Sequence, residues 1–307
     1  MILRQTIFMF SVRFTLLCGL MAGVGGKLYA QQDPLYSQYF NNPILINPAF
    51  AGSNERLVLS TAYRSQWTGI DGGPVTYNFN SHIALADNRV GVGVIFQQDK
   101  LGDFKTSQYG SAVSYRLKLK ESVLSFGMQF GFKQFAANLD GVYVLNPDQR
   151  FAPFSMTKFN TGAGLLLKGE RYVVGLSVPS LISSSISVGG ENVKLYSQNY
   201  YLYGSYVIPV KPGLDLKPTA LLRLTNGSTS VDVNLNATFD LYYTVGLYTR
   251  NLNTAGIMLQ GIFKNARLTY SFELPMKGAA LNYNTHEIGL AFSLAVLGKH
   301  EKMLTGF

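Results

Sequence analysis

Between residues 57 and 296, apolar side chains recur at every second position over stretches of about ten residues, and turn-forming residues end each stretch. In one stretch Leu124, Phe126, Met128, Phe130 and Phe132 alternate with Ser125, Gly127, Gln129, Gly131 and Lys133. In another, Val231, Val233, Leu235, Ala237 and Phe239 alternate with Asp232, Asn234, Asn236, Thr238 and Asp240. A period of two belongs to a strand, since a helix face repeats about every 3.6 residues. A water-soluble sandwich seldom strings Asn and Asp so regularly along its second face. Lipid on one side and water on the other accounts for both faces.

Composition narrows the choice further. Only 14% of the residues are charged, against about a quarter in soluble domains. Yet beyond residue 30 no apolar run approaches the roughly 20 residues of a membrane-spanning helix. Charge depletion without such a run points to a closed barrel, which hides its hydrophobicity in alternation.

The expected fold is therefore all-β: a transmembrane antiparallel outer-membrane barrel of about 14 strands, with a short non-barrel segment at its N-terminus. The strand segments lie near 57–66, 76–85, 90–98, 107–117, 123–135, 159–168, 172–179, 200–208, 214–225, 230–241, 243–250, 256–263, 267–274 and 286–296. Even-numbered connections are short (86–89, 118–122, 169–171, 209–213, 242, 264–266). Odd-numbered ones are mostly longer (97–106, 136–158, 180–199, 275–285). Short turns belong in the periplasm and long loops outside, which puts both chain ends in the periplasm. The short side is basic, with Arg89, Lys118, Lys168, Arg171 and Lys264 among its residues, as suits contact with lipid headgroups or an acidic periplasmic partner.

The first 30 residues read as a signal peptide, with Arg4 and Arg13, an apolar stretch at 14–24, and a cleavage site after Ala30. The segments that follow are a periplasmic or plug segment over 31–56, the barrel over 57–297 and a periplasmic tail over 298–307. Cleavage removes the single cysteine, Cys18, and with it any disulfide, thiol nucleophile or thiolate metal site. Arg4, Arg13 and Lys27 leave too, so a net charge of +9 becomes +6. That surplus carries no argument for nucleic acid.

Residues 31–52, QQDPLYSQYFNNPILINPAFAG, do not alternate. Asn42-Pro43 and Asn47-Pro48 are turn formers, and proline is a poor member of a central strand. The apolar Tyr36, Tyr39, Phe40, Ile44, Ile46 and Phe50 need cover, either as a barrel plug or against a partner. This run, with Asp33-Pro34, Ser37-Gln38-Tyr39, Asn42-Pro43, Asn47-Pro48-Ala49 and Gly52, resembles the opening signature of the PorP/SprF family. That family consists of outer-membrane proteins of the type IX secretion system of Bacteroidetes. The resemblance continues through Arg64, Gln66-Trp67, Gly69 and Pro74, then Gly91, Gly93, Asp99 and Gly102, and follows the later strands in pattern. Asn41 and Phe50 depart from it. It implies a role in type IX export, and in adhesin delivery where relatives support gliding motility. The implied partners are a secreted protein with a type IX C-terminal sorting domain, periplasmic components of the machine, and membrane lipid. The candidate partner-binding or plug residues are Ser37, Gln38, Tyr39, Asn42, Pro43, Asn47, Pro48, Arg64 and Trp67.

No enzyme site, metal site or cofactor is expected. His82 follows Ser81, and neighbours on a strand face opposite ways, so the two cannot form a nucleophile–base pair. A lumen hydrogen-bonding role fits His82 better. Asp232 and Asp240 share the inward face but lie roughly 26 Å apart along one strand, at about 3.3 Å per residue; Arg223 and Lys217 are candidates to pair with them. Gly91-Val92-Gly93 and Gly162-Ala163-Gly164 open no helix and so cannot cradle phosphate. Inward glycines let a plug approach closely. The alternative reading is a passive or substrate-specific porin, because a barrel of this size has room for a lumen. A third is a purely structural barrel that tethers the membrane to periplasmic proteins.

Overall fold

The computed structural model describes residues 39–138, 153–188, 191–196, 198–225, 228–276 and 282–296. The expected signal peptide, Tyr36, Ser37, Gln38 and the expected tail at 298–307 lie outside the described residues.

Seventeen strands follow in order: β1 (Leu57–Ser65), β2 (Val75–Leu85), β3 (Val90–Leu101), β4 (Phe104–Lys118), β5 (Ser122–Ala137), β6 (Phe154–Gly169), β7 (Tyr172–Val178), β8 (Ser184–Val188), β9 (Glu191–Tyr196), β10 (Asn199–Tyr206), β11 (Ile208–Lys211), β12 (Leu214–Thr225), β13 (Ser228–Phe239), β14 (Tyr243–Arg250), β15 (Thr254–Phe263), β16 (Ala266–Pro275) and β17 (Thr285–Leu294). Fourteen of them, all but β8, β9 and β11, make the barrel, every neighbour antiparallel. β1 pairs with β17 from Leu57↔Leu294 to Ser65↔His286, which closes the ring. β11 only prolongs the line of β10 against β12, while β8 and β9 form a separate hairpin in the connection after β7.

Period-two alternation produces two unlike surfaces. Tyr63, Tyr77, Tyr109, Phe126, Phe132, Leu176, Leu247 and Ile288 point outward and are exposed. A soluble monomer would not carry so broad an apolar surface, whereas lipid covers it. Inward stand Ser60, Asn78, Asn80, Gln129, Asn234, Asn236, Thr269 and Ser271, all buried. Among the described residues no helix is long and apolar enough to cross a membrane; the strands cross it.

Short turns at one end, such as those between Leu85 and Val90 and between Gly169 and Tyr172, mark the periplasmic side. At the other end the strands run further than alternation indicates. The pattern predicts a loop over 97–106, yet β3 reaches Leu101 and β4 begins at Phe104, joined through Gly102 at φ 56°. Likewise β6 starts at Phe154, inside a predicted loop, and the predicted loop at 180–199 contains β8 and β9. These extensions rise beyond the apolar band, where no lipid enforces a greasy face. The backbone ladder holds them together with inward ring contacts such as Phe104–Phe135 and Phe135–Phe154, and the outward apolar row that marks a membrane strand is missing. Asp240 also departs from expectation: it lies beyond the end of β13, exposed in the turn to β14 with φ 47°.

Candidate functional site: a plug seated across the lumen

The described part of the non-alternating segment, residues 39–52, lies inside the barrel. It makes two short 3-10 turns, Pro43–Leu45 and Pro48–Phe50, each with proline at its first position, where a missing N–H costs nothing. Tyr39, Phe40, Ile44, Ile46, Ala49, Phe50 and Ala51 are buried and form one apolar cluster with Ile95, Ala112, Leu166, Val173, Tyr203, Leu221, Tyr248 and Met258. Those wall residues come from β3, β4, β6, β7, β10, β12, β14 and β15, so the segment touches most of the circumference. The Tyr203 ring packs edge-on between Tyr39 and Phe50, at centroid distances of 6.4 and 5.8 Å.

Asn47 organises the seat. Its side-chain oxygen accepts from the Ala49 N–H at 2.9 Å and so caps the second turn. Its amide nitrogen donates to the Leu165 carbonyl at 2.9 Å and the Leu176 carbonyl at 3.3 Å, tying the plug to β6 and β7. Around it the wall presents polar groups to the plug backbone. Ser177 donates to the Ile46 carbonyl at 2.6 Å, Ser114 to the Ala51 carbonyl at 2.7 Å, and Arg116 to the Gly52 carbonyl at 2.6 Å. The Gly52 N–H donates to His82 Nδ1 at 3.2 Å, and Arg267 donates to the Asn41 carbonyl at 2.8 Å. His82 thus has a lumen hydrogen-bonding role, with the plug as its partner.

Two wall positions must be glycine for this seat to exist. A Cβ on Gly91 would lie 2.0 Å from the Ala51 carbonyl oxygen, and one on Gly127 2.2 Å from the Ala49 nitrogen. Both obstacles are backbone and cannot rotate away. Asn47→Ala removes the cap and two charge-neutral bonds to part-buried strand carbonyls. We expect it to cost about 2 kcal/mol, measured as a lowered urea midpoint of the barrel in lipid vesicles. A midpoint unchanged from wild type would mean that the apolar cluster alone seats the plug.

Toward the outer end of the lumen stands a charged network. Arg64, 2% exposed, binds Glu273 at 2.8 Å and Glu287 at 3.1 Å. Arg250 binds Asp232 at 3.0 Å and lies 3.9 Å from Glu273. Asp232 therefore takes its ion pair from Arg250 on the next strand, rather than from Arg223 or Lys217. Asp232, Tyr39, Ile46 and Arg223 border a cavity of about 40 Å³ beside the plug.

The candidate residues thus fall into three places. Tyr39, Asn42, Pro43, Asn47 and Pro48 belong to the plug, and Arg64 to the lumen network above it. Trp67 sits apart, in the outer loop between β1 and β2, with φ 56°. It borders a concavity of about 490 Å³ together with Gln66, Ile70, Asp71, Lys100 and Asp103. Sequence reasoning passed over Ser114, Arg116, Ser177, Glu273 and Glu287, which hold the plug or Arg64. Their inward register was legible, but not their partners. Among the described residues no cluster of His, Cys, Asp or Glu is arranged to hold a metal ion.

Solved structures with the same kind of barrel include the toluene transporter TbuX of Ralstonia pickettii, 9% identical, with a TM-score of 0.51 over 83% of this chain and 93% of that one. The P. putida toluene transporter TodX is 8% identical, with a TM-score of 0.50 over 91% and 97% of the two chains. At such identities the likeness concerns the fold alone. No curated protein matches the chain in sequence. The model of the type IX secretion system membrane protein PorP/SprF matches residues 28–292. With a barrel that places it in the outer membrane and a match over most of its length, the chain belongs to the PorP/SprF family.

Proposed function

We propose that this protein is a sealed outer-membrane component of type IX secretion, which holds a secreted protein through its C-terminal sorting domain and connects to periplasmic parts of the machine. It works without catalysis. The supporting observation is the plug: the lumen is occupied by a segment that shares the barrel's own apolar core. Binding then falls to the outer rim and to the periplasmic turns. The proposed division is a signal peptide cleaved near Ala30, a plug segment to residue 56, the barrel, and a periplasmic tail over 298–307.

The test is a gentle detergent pull-down of the tagged protein from its native envelope, with mass spectrometry of the eluate. Near-stoichiometric recovery of a secreted protein carrying a sorting domain is expected. Recovery of the barrel alone would remove the reading of a stable complex. The porin alternative draws support from the fold neighbours, which are described as transporters. It requires conductance of the wild-type protein in planar bilayers, where the plugged lumen is expected to give almost none.

A further inference from the structure

β6 pairs with β5 along all of its length, from Ser122↔Gly169 to Ala137↔Phe154. On its other side the cover is much shorter. β7 lies only against Ala163 to Lys168. The chain leaving β7 covers the next stretch: the Leu181 N–H donates to the Thr161 carbonyl at 2.8 Å, and the Asn160 side chain donates to the Ile182 carbonyl at 3.0 Å. From Phe159 outward to Phe154, no strand among the described residues lies against this edge.

Ladder geometry says which groups this leaves. In an antiparallel strand the N–H and C=O of one residue point to the same side, and successive residues alternate. The Thr161 carbonyl points away from β5, so the backbone groups of Phe159, Thr157 and Ser155 do too. The uncovered stretch begins where the membrane ends. Phe132 and Phe159, whose ring centroids are 5.8 Å apart, are the last large apolar residues on the outer face, and Gln134, Thr157 and Ser155 follow. Within hydrocarbon an unpaired edge is untenable; above it, water or another chain can pair it.

The side chains flanking the edge describe the partner. On the inner face the Phe154 and Phe135 rings lie 5.6 Å apart, with Met156 next along the strand. Below them stands Lys158, exposed on the same face. An exposed ammonium beside the edge favours an incoming carboxylate. We infer that the outer edge of β6, from Ser155 to Phe159, is a docking edge on which an extended segment of the secreted protein adds as a further strand. That segment sets an apolar side chain against Phe154 and Met156 and an acidic one beside Lys158. The inference rests on the reading that a secreted protein is held here.

Full-length protein carrying the photo-crosslinker p-benzoylphenylalanine at position 157, irradiated in the native envelope, tests it, with the lipid-facing position 165 as control. The expected adduct maps to one stretch of a protein with a sorting domain. The double variant Ser155→Pro/Thr157→Pro should lower recovery of that protein at least tenfold. Proline there removes only donors that point away from β5, so heat-modifiable mobility of the barrel should persist. If the double variant does not fold, Lys158→Glu replaces it, with an expected loss of at least fivefold. Undiminished recovery by the variant that folds overturns the docking edge and leaves the secretion reading standing. An adduct to the hairpin at 184–196 of the same chain, or to a second copy, also overturns it. Absence of any secreted protein from the wild-type eluate overturns both.

Discussion

A barrel with leucine at position 127 is expected to lose about 3 kcal/mol of stability without starting to conduct. The added Cβ would meet the Ala49 nitrogen at 2.2 Å and the Pro48 carbonyl carbon at 2.4 Å. Ordinary overpacking costs about 1–3 kcal/mol, and this contact sits at the upper end because backbone must move. Expelling the whole plug would expose Tyr39, Ile44, Ile46 and Phe50, at about 1.5–3 kcal/mol for each such side chain. Expulsion therefore costs more than the clash. The second 3-10 turn lifts from its seat while the first stays. Deleting residues 39–52 is different, because nothing then fills the ring. That variant should raise single-channel conductance at least tenfold in planar bilayers, provided it inserts. A deletion variant that inserts and stays silent would show that something other than this segment closes the lumen.

Arg64→Ala is expected to cost about 3–5 kcal/mol, the usual result of removing one member of a buried ion pair. Its two carboxylates, Glu273 and Glu287, have side chains 5% and 2% exposed, and little water can take over. Arg64→Lys should recover only part of the loss. The two guanidinium nitrogens each reach a different glutamate, and a single ammonium cannot reproduce that fork. The triple variant Arg64→Met/Glu273→Gln/Glu287→Gln should lie closer to wild type than Arg64→Ala does. Urea unfolding in vesicles orders the series. A loss below 1 kcal/mol for Arg64→Ala would mean that the network is hydrated.

Local pattern carried much of the architecture. Alternation marked each barrel strand and its inward face, because lipid and lumen impose opposite demands on neighbouring residues. Asn47-Pro48 marked a turn, and the inward Gly91 and Gly93 hinted at a close approach. What stayed hidden depends on contact across the ring. Asn47 meets Leu165 and Leu176, 118 and 129 residues away, and Arg64 meets Glu287, 223 residues away. Such pairs are fixed by register around the whole barrel, which no local pattern encodes. The outer ends of β3, β4 and β6 escaped notice because above the membrane no lipid demands an apolar outward row; in β6 the apolar Phe154 and Met156 turn inward and Ser155 and Thr157 outward. Asp240 was misplaced for a related reason: alternation continues on paper past the point where the chain turns.

The order of the chain sets a constraint on how the molecule is made. The plug comes before β1 in sequence, yet its bonds extend to Arg267 in β16, and the ring is completed only when β17 meets β1. Contacts of such separation form late, since the intervening chain must first be gathered. Final seating of the plug and closure of the seam therefore belong to one late event. A chain whose seam closed before the N-terminal segment was in place would have to reopen to admit it.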